Sequence, residues 1–201
     1  MKQVMRMIKL RRSGVYGVQL ERMRQKEDER NFAYSDIDRE QTDLNFHYKQ
    51  TQSWNREITR QLKQAGVKER KDSNVLIGAV FTASKEFFTR NPKYVEPPLG
   101  DDNRPPEQKQ KWLFDEKTKN YFDDCLEFYT KYQCQGDSSR ILDATIDFDE
   151  KTLHLQIFSV PLVQREAENG EPVFALSAKE IFGIRVKMRE NQNRLHAEIG
   201  V

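Results

Sequence analysis

Between Ile141 and Leu162 the chain carries two alternating segments joined by four residues, and this pairing constrains the fold more than any other stretch. In Ile141–Phe148, Leu142, Ala144, Ile146 and Phe148 face one way while Asp143, Thr145 and Asp147 face the other. The following strand, Leu153–Leu162, sets Leu153, Leu155 and Ile157 against His154, Gln156 and Phe158. Asp149-Glu150-Lys151-Thr152 is a common hairpin length, and it pairs Phe148 with Leu153 and Asp147 with His154. Gln156 then falls on the same face, one diagonal from Asp147. Directly opposite Cβ atoms lie about 5 Å apart and diagonal ones about 7–8 Å. A carboxylate, an imidazole and an amide oxygen so gathered can ligate one divalent ion. Mostly oxygen with one imidazole suits Mn²⁺ or Mg²⁺ better than a thiolate-loving metal. From spacing alone, a plain Asp–His ion pair on an open sheet face is the other reading.

The remaining segments alternate between helix and strand. Val4–Leu10 predicts a strand, Gly14 and Gly17 a turn, and residues 18–30 a charged helix. Trp54, Ile58 and Leu62 recur at helical spacing behind a capping Ser53, and Gly66 ends that helix. Asn74–Thr82 is an apolar run of buried-strand length. Ser84 predicts a cap on a short helix holding Phe87 and Phe88, and five prolines between 92 and 106 demand a loop. Glu107–Tyr132 predicts the longest helix, Asn169-Gly170 a turn, and Ser177 the cap of a final helix running to the C-terminus. The class is α+β, a central antiparallel sheet flanked by helices, and residues 1–201 read as a single domain.

Charged residues make up 33% and hydrophobic residues 36%, with aromatics at 10%, which fits a folded but very polar domain. Net charge is only +2, yet Arg6, Lys9, Arg11, Arg12 and Arg22 crowd the amino-terminal end, as a phosphate backbone would attract. Cys125 and Cys134 sit on one predicted helix too far apart to bridge, so both thiols are expected free. Every apolar stretch is interrupted by charge, so no membrane segment is expected and a cytoplasmic location is.

The hairpin resembles the metal motif of the Mob/Pre family, the MobV-type relaxases within the HUH endonucleases, which reads His-x-Asp-Glu-x-x-Pro-His-x-His before a short strand ending in Val-Pro. Asp149, Glu150, His154, Val160 and Pro161 match; Asp147 stands for the first His and Gln156 for the last. Asp36-Ile37 with Leu44-Asn45-Phe46 resembles the family's Asp-Ile…Leu-Asn-Tyr, and Ser177-Ala178-Lys179 with Phe182 its Ser-Ser-Lys…Phe. Glu21-Arg22-Met23-Arg24 aligns with the family's His-Asn-x-Arg, whose His is taken as the nucleophile.

That resemblance implies an HUH relaxase-like domain that nicks and religates plasmid DNA at a transfer origin, for mobilization or recombination. It implies a Mn²⁺ or Mg²⁺ ion held by Asp147, His154 and Gln156, with Glu150 orienting a ligand or water. Arg24 would hold the phosphate, and Glu21 would attack it, with Tyr16, Tyr48 or no nucleophile as alternatives. Single-stranded or hairpin origin DNA would be the partner, contacted by Arg6, Lys9, Arg11, Arg12 and Arg22. A catalytically impaired origin-binding protein with the same fold is the second implication. Family members usually continue into a helical region, so the chain is expected to be an excised amino-terminal domain whose dimerization would lie beyond it.

Overall fold

The computed structural model describes residues 3–25, 37–84, 87–88, 114–183 and 185–199. The prolines at 92–106, Asp36, Trp112, and the predicted helical residues 26–30 and 107–113 lie outside them. Strand β1 (Gln3–Arg11) runs straight into helix α1 (Arg12–Arg22); a 3₁₀ turn (Arg39–Leu44) leads to β2 (Phe46–Gln50) and α2 (Trp54–Gln64). Then come β3 (Asn74–Ala83), α3 (Glu116–Gln133), β4 (Ile141–Asp147) and β5 (His154–Ser159). A second hairpin, β6 (Leu162–Glu166) and β7 (Pro172–Leu176), precedes α4 (Ala178–Phe182) and α5 (Arg185–Ile199). The main sheet has five strands in the order β1-β3-β5-β4-β2, every neighbouring pair antiparallel, and β6 with β7 makes a separate two-stranded sheet. The α+β reading, a central antiparallel sheet with flanking helices, is correct.

Strand alternation divides the core between two faces. Met5, Ala79, Phe81, Leu155, Ile157, Ala144 and Ile146 pack beneath α3, whose Tyr121, Phe122, Cys125, Phe128 and Tyr129 recur at helical spacing. Val15 of α1 and Trp54, Ile58 and Leu62 of α2 cover part of the opposite face over Leu76, Leu142 and Phe158. Gly78 makes this cover possible: a Cβ there would come within 2.6 Å of the Phe158 ring, which fills the vacant place. Cys125 and Cys134 are free and buried, as expected.

Several sequence readings need correction. Gly14 and Gly17 lie inside α1 rather than in a turn, because Val15, Gln19 and Arg22 at positions i, i+4 and i+7 bury one stripe of that helix. Ser53 precedes α2, but its side chain does not cap it; the Trp54 N–H donates to Gln19 Oε1 at 3.0 Å. β2 went unread because Phe-His-Tyr-Lys-Gln is a polar edge strand without a long apolar run. A register shift between Ile141 and Asp143 carries Leu142 to the α2 face, away from Ala144 and Ile146. The single strand 153–162 is two strands, and the final helix breaks at Gly183, whose φ of 66° is left-handed.

Candidate functional site

Paired residues on adjacent strands share a face, so the register places a line of side chains across the whole sheet. Arg6 pairs with Val80, Val80 with Gln156, Gln156 with Thr145, and Thr145 with His47. The next line toward the β4–β5 turn contains Asp147 opposite His154. Expected and observed register agree, and Asp147, His154 and Gln156 do face the same way. Arg6 and His47, at the two ends of the first line, are exposed.

One tight ionic cluster occupies the centre. Arg22, the last residue of α1, grips Asp147 with both guanidinium ends, Nη1 to Oδ2 at 2.7 Å and Nη2 to Oδ1 at 3.0 Å. Its Nε lies 3.6 Å from Asp143. Arg24, held in the left-handed region at φ 53°, donates to Asp149 Oδ1 and Oδ2 at 2.7 and 2.8 Å, and its Nη2 reaches Glu150 at 3.1 Å. Asn45 holds the turn by accepting from the N–H groups of Phe148 and Asp149 at 2.7 and 3.2 Å. His154 Nδ1 lies 2.7 Å from the Thr152 carbonyl, an acceptor only, so Nδ1 carries the proton that sets the ring. Its Nε2 points at Asp147 Oδ2, 3.1 Å away, and at Glu150 Oε2, 3.7 Å away.

Ligand atoms of Asp147, Glu150 and His154 all lie within 4.8 Å of one another, close enough to surround one ion. The charges suit a divalent cation: Asp143, Asp147, Asp149 and Glu150 bring four carboxylates against the two guanidinium groups of Arg22 and Arg24. Burial disfavours charge on Asp147, but Arg22 and His154 outweigh it and hold its pKa well below the usual carboxylate range. Asp143 behaves in the opposite way: burial, opposed by Arg22, pushes its pKa up to about 6. Burial, aided by Asp147, also raises that of Glu150. Burial lowers the His154 pKa, yet Asp147 more than restores it, so the balance is upward. His47 goes down, through partial desolvation and then the charge of Arg22.

The other expected positions scatter. Arg22, read as a DNA contact, is buried with a side-chain exposure of 4% and cannot reach a phosphate backbone. Arg24, read as the phosphate holder, is 8% exposed in its side chain and committed to carboxylates. Lys9 alternates to the opposite sheet face, where its Nζ meets the Gly183 carbonyl at 3.4 Å. Arg12 pairs with Glu69 and Asn55. Arg11 is exposed beside a register shift, and Arg6 is exposed in the line of Gln156, Thr145 and His47, next to that of the cluster. Glu21 is half-buried, and its carboxylate has no partner among the described residues. Of the alternative nucleophiles, Tyr16 stands 61% exposed on the outer side of α1, and Tyr48 packs beneath the sheet with its hydroxyl 2.5 Å from Asp123. Asp143, Thr145 and Asn45 were missed as site residues, though alternation alone had put the first two on the face of Asp147.

A family model described as "plasmid recombination enzyme" matches residues 1–96 and 108–200. No curated protein sequence matches the chain significantly. Solved structures of similar shape are MobM relaxase domains (MOBV; Mob_Pre) bound to plasmid pMV158 oriT DNA. A Mn-bound crystal structure at pH 6.8 has a TM-score of 0.69 and 21% identity, covering 99% of this chain and 85% of that one. Another, at pH 4.6, has a TM-score of 0.68 and 21% identity over 99% and 86%. A complex with 26 nucleotides of the same DNA gives a TM-score of 0.60 and 18% identity, again over 99% and 86%.

Proposed function

The chain belongs to the Mob/Pre family of plasmid recombination enzymes, and from that premise we propose that it acts on plasmid origin DNA as a relaxase, cutting and rejoining one strand in a metal-dependent reaction. The observation that carries the reading is the convergence of Asp147, Glu150 and His154 within 4.8 Å, on a sheet face that also presents Gln156 and the exposed Arg6. Similarity to Mn-bound relaxase domains on oriT DNA supports it.

Mn²⁺ or Mg²⁺ fits this donor set, with Asp147, Glu150 and His154 as ligands and Gln156 in the adjoining line. Once bound, such an ion would supply charge neutralisation at the non-bridging oxygens of the scissile phosphate. The protein's own groups do the rest. Thr152 fixes the His154 tautomer, Arg22 and Arg24 hold the carboxylates in place, and Arg6 draws the backbone across the open face. A nucleophilic side chain attacks phosphorus; the bond to the 3′ oxygen breaks, and that oxygen takes a proton from solvent. The 5′ end stays on the protein until a 3′ hydroxyl reverses the step. Single-stranded or hairpin origin DNA is the substrate on this reading, since an unpaired strand is free to bring its phosphate down to the cluster.

Tiled single-stranded oligonucleotides spanning the DNA around its own coding sequence provide the test. Relaxase activity predicts one Mn²⁺-dependent cut at a fixed position, abolished by chelator and by His154→Ala. Binding without any cut would retire the enzyme reading in favour of an origin-binding protein. That second reading has one observation behind it: Arg22 occupies both oxygens of Asp147, so an arginine already partly fills the cation's place.

A further inference from the structure

Beside the ionic cluster lies a second set of groups whose order has a chemical meaning. Thr145 Oγ1 donates to Asp143 Oδ2 at 3.3 Å. Its single proton is thereby used, so the contact of 2.9 Å between Thr145 Oγ1 and His47 Nδ1 places the proton on Nδ1. The imidazole lone pair is then on Nε2, and His47 is exposed on edge strand β2. Asp143 is itself buried against Arg22. The three side chains thus form a chain from a buried carboxylate through a hydroxyl to an outward-facing imidazole nitrogen. Thr145 lies directly opposite both His47 and Gln156, and Asp147 is the next residue on that face of β4, so the imidazole stands on the edge of the Asp147–Glu150–His154 cluster.

We propose that His47, oriented by Thr145 and Asp143, is the nucleophile of this domain, occupying the role for which motif position offers only Glu21. The assignment rests on the nicking reading above. Nε2 forms a bond to phosphorus, the P–O3′ bond breaks with its electron pair on the 3′ oxygen, and that oxygen is protonated by solvent. The product is a 5′-phosphoramidate on His47 and a free 3′ hydroxyl. Positive charge gained by the ring is met through Thr145 by the Asp143 carboxylate, the relation that an orienting carboxylate bears to the base of a hydrolase triad. Without this relay the imidazole is free to rotate and to change tautomer. Glu21 has no group among the described residues to direct its carboxylate.

The test is chemical. The same tiled oligonucleotides are cut in the presence of Mn²⁺, and the covalent adduct is digested and mapped by mass spectrometry. An adduct on His47 that survives alkali but not acid is expected, since a phosphoramidate does so and an acyl phosphate on Glu21 is lost in both. His47→Gln, whose exposed position leaves the fold intact by circular dichroism, abolishes the adduct, whereas Glu21→Gln retains it. Thr145→Val lowers kcat by roughly tenfold to a hundredfold while KM for the oligonucleotide stays unchanged, a split that mere loss of folded protein does not produce. An adduct on Glu21 or elsewhere, or full activity in His47→Gln, overturns the assignment and leaves the nicking reading standing. Oligonucleotides bound but left uncut overturn both.

Discussion

Asp147 and Arg22 show what a single buried pair does to this protein. Two well-formed hydrogen bonds join them, with side chains only 1% and 4% exposed, so neither charge has water to fall back on. Arg22→Met should destabilise the domain by about 3–5 kcal/mol in urea unfolding at pH 7, chiefly because Asp147 and Asp143 are left buried without their partner. That deficit should shrink as pH falls, since both carboxylates can then protonate. Asp143 supplies the opposite pH sense. With its folded pKa raised to about 6, the proton is held more tightly in the folded chain than in the unfolded one. Stability present below the unfolded value of about 3.9 is therefore lost as pH rises through the folded value, on the order of 3 kcal/mol. Asp143→Asn abolishes that loss, so its melting temperature relative to the parent should rise between pH 4 and pH 6. Asp147 opposite His154 was legible because alternation and turn length are local facts. Arg22 was not, because its partner lies 125 positions along the chain and only the docking of α1 brings them together.

Glycines in the elements show how the same residue type carries different demands. Gly17 sits mid-helix in α1 with nothing within 4 Å of an added Cβ, so Gly17→Ala should stabilise the domain by about 0.5–1 kcal/mol. Gly78 in β3 meets Phe158 at 2.6 Å, and Gly78→Ala should destabilise it by about 1–3 kcal/mol. Thermal melts of the two variants decide the matter, and a shared sign would mean that α1 or the Phe158 packing is misplaced. Both glycines read as ordinary turn or strand signals, and neither role was visible locally. α2, β3 and the β4–β5 hairpin were legible because each carries its own period of apolar residues. β2 carries none: its identity comes from pairing with β4, where Phe46 meets Ile146 and His47 meets Thr145. The bulge that turns Leu142 over is equally invisible, since a register shift exists only relative to a partner strand.

At the scale of the molecule, a net charge of +2 is too small to bind nucleic acid by field alone, so which face a base occupies matters more than how many there are. Lys9 is three residues from Arg6, and in a strand that odd separation sends it through the sheet to the side away from the cluster. Arg6 is exposed on the near side, in line with Gln156, Thr145 and His47. For single-stranded DNA, log affinity falls with log salt by about 0.7 for each phosphate neutralised. Arg6→Ala should therefore reduce the slope by roughly that amount, and Lys9→Ala should leave it unchanged. Fluorescence anisotropy of a labelled oligonucleotide across a salt series reads both. Equal reductions would mean that the strand wraps an edge of the sheet instead of crossing its open face. The sequence showed a basic end but not its division between two surfaces; the division arises because β1 is an edge strand with one face toward α5 and the other toward the site. Composition fixes how much charge is available, and topology decides how much of it a bound strand can feel.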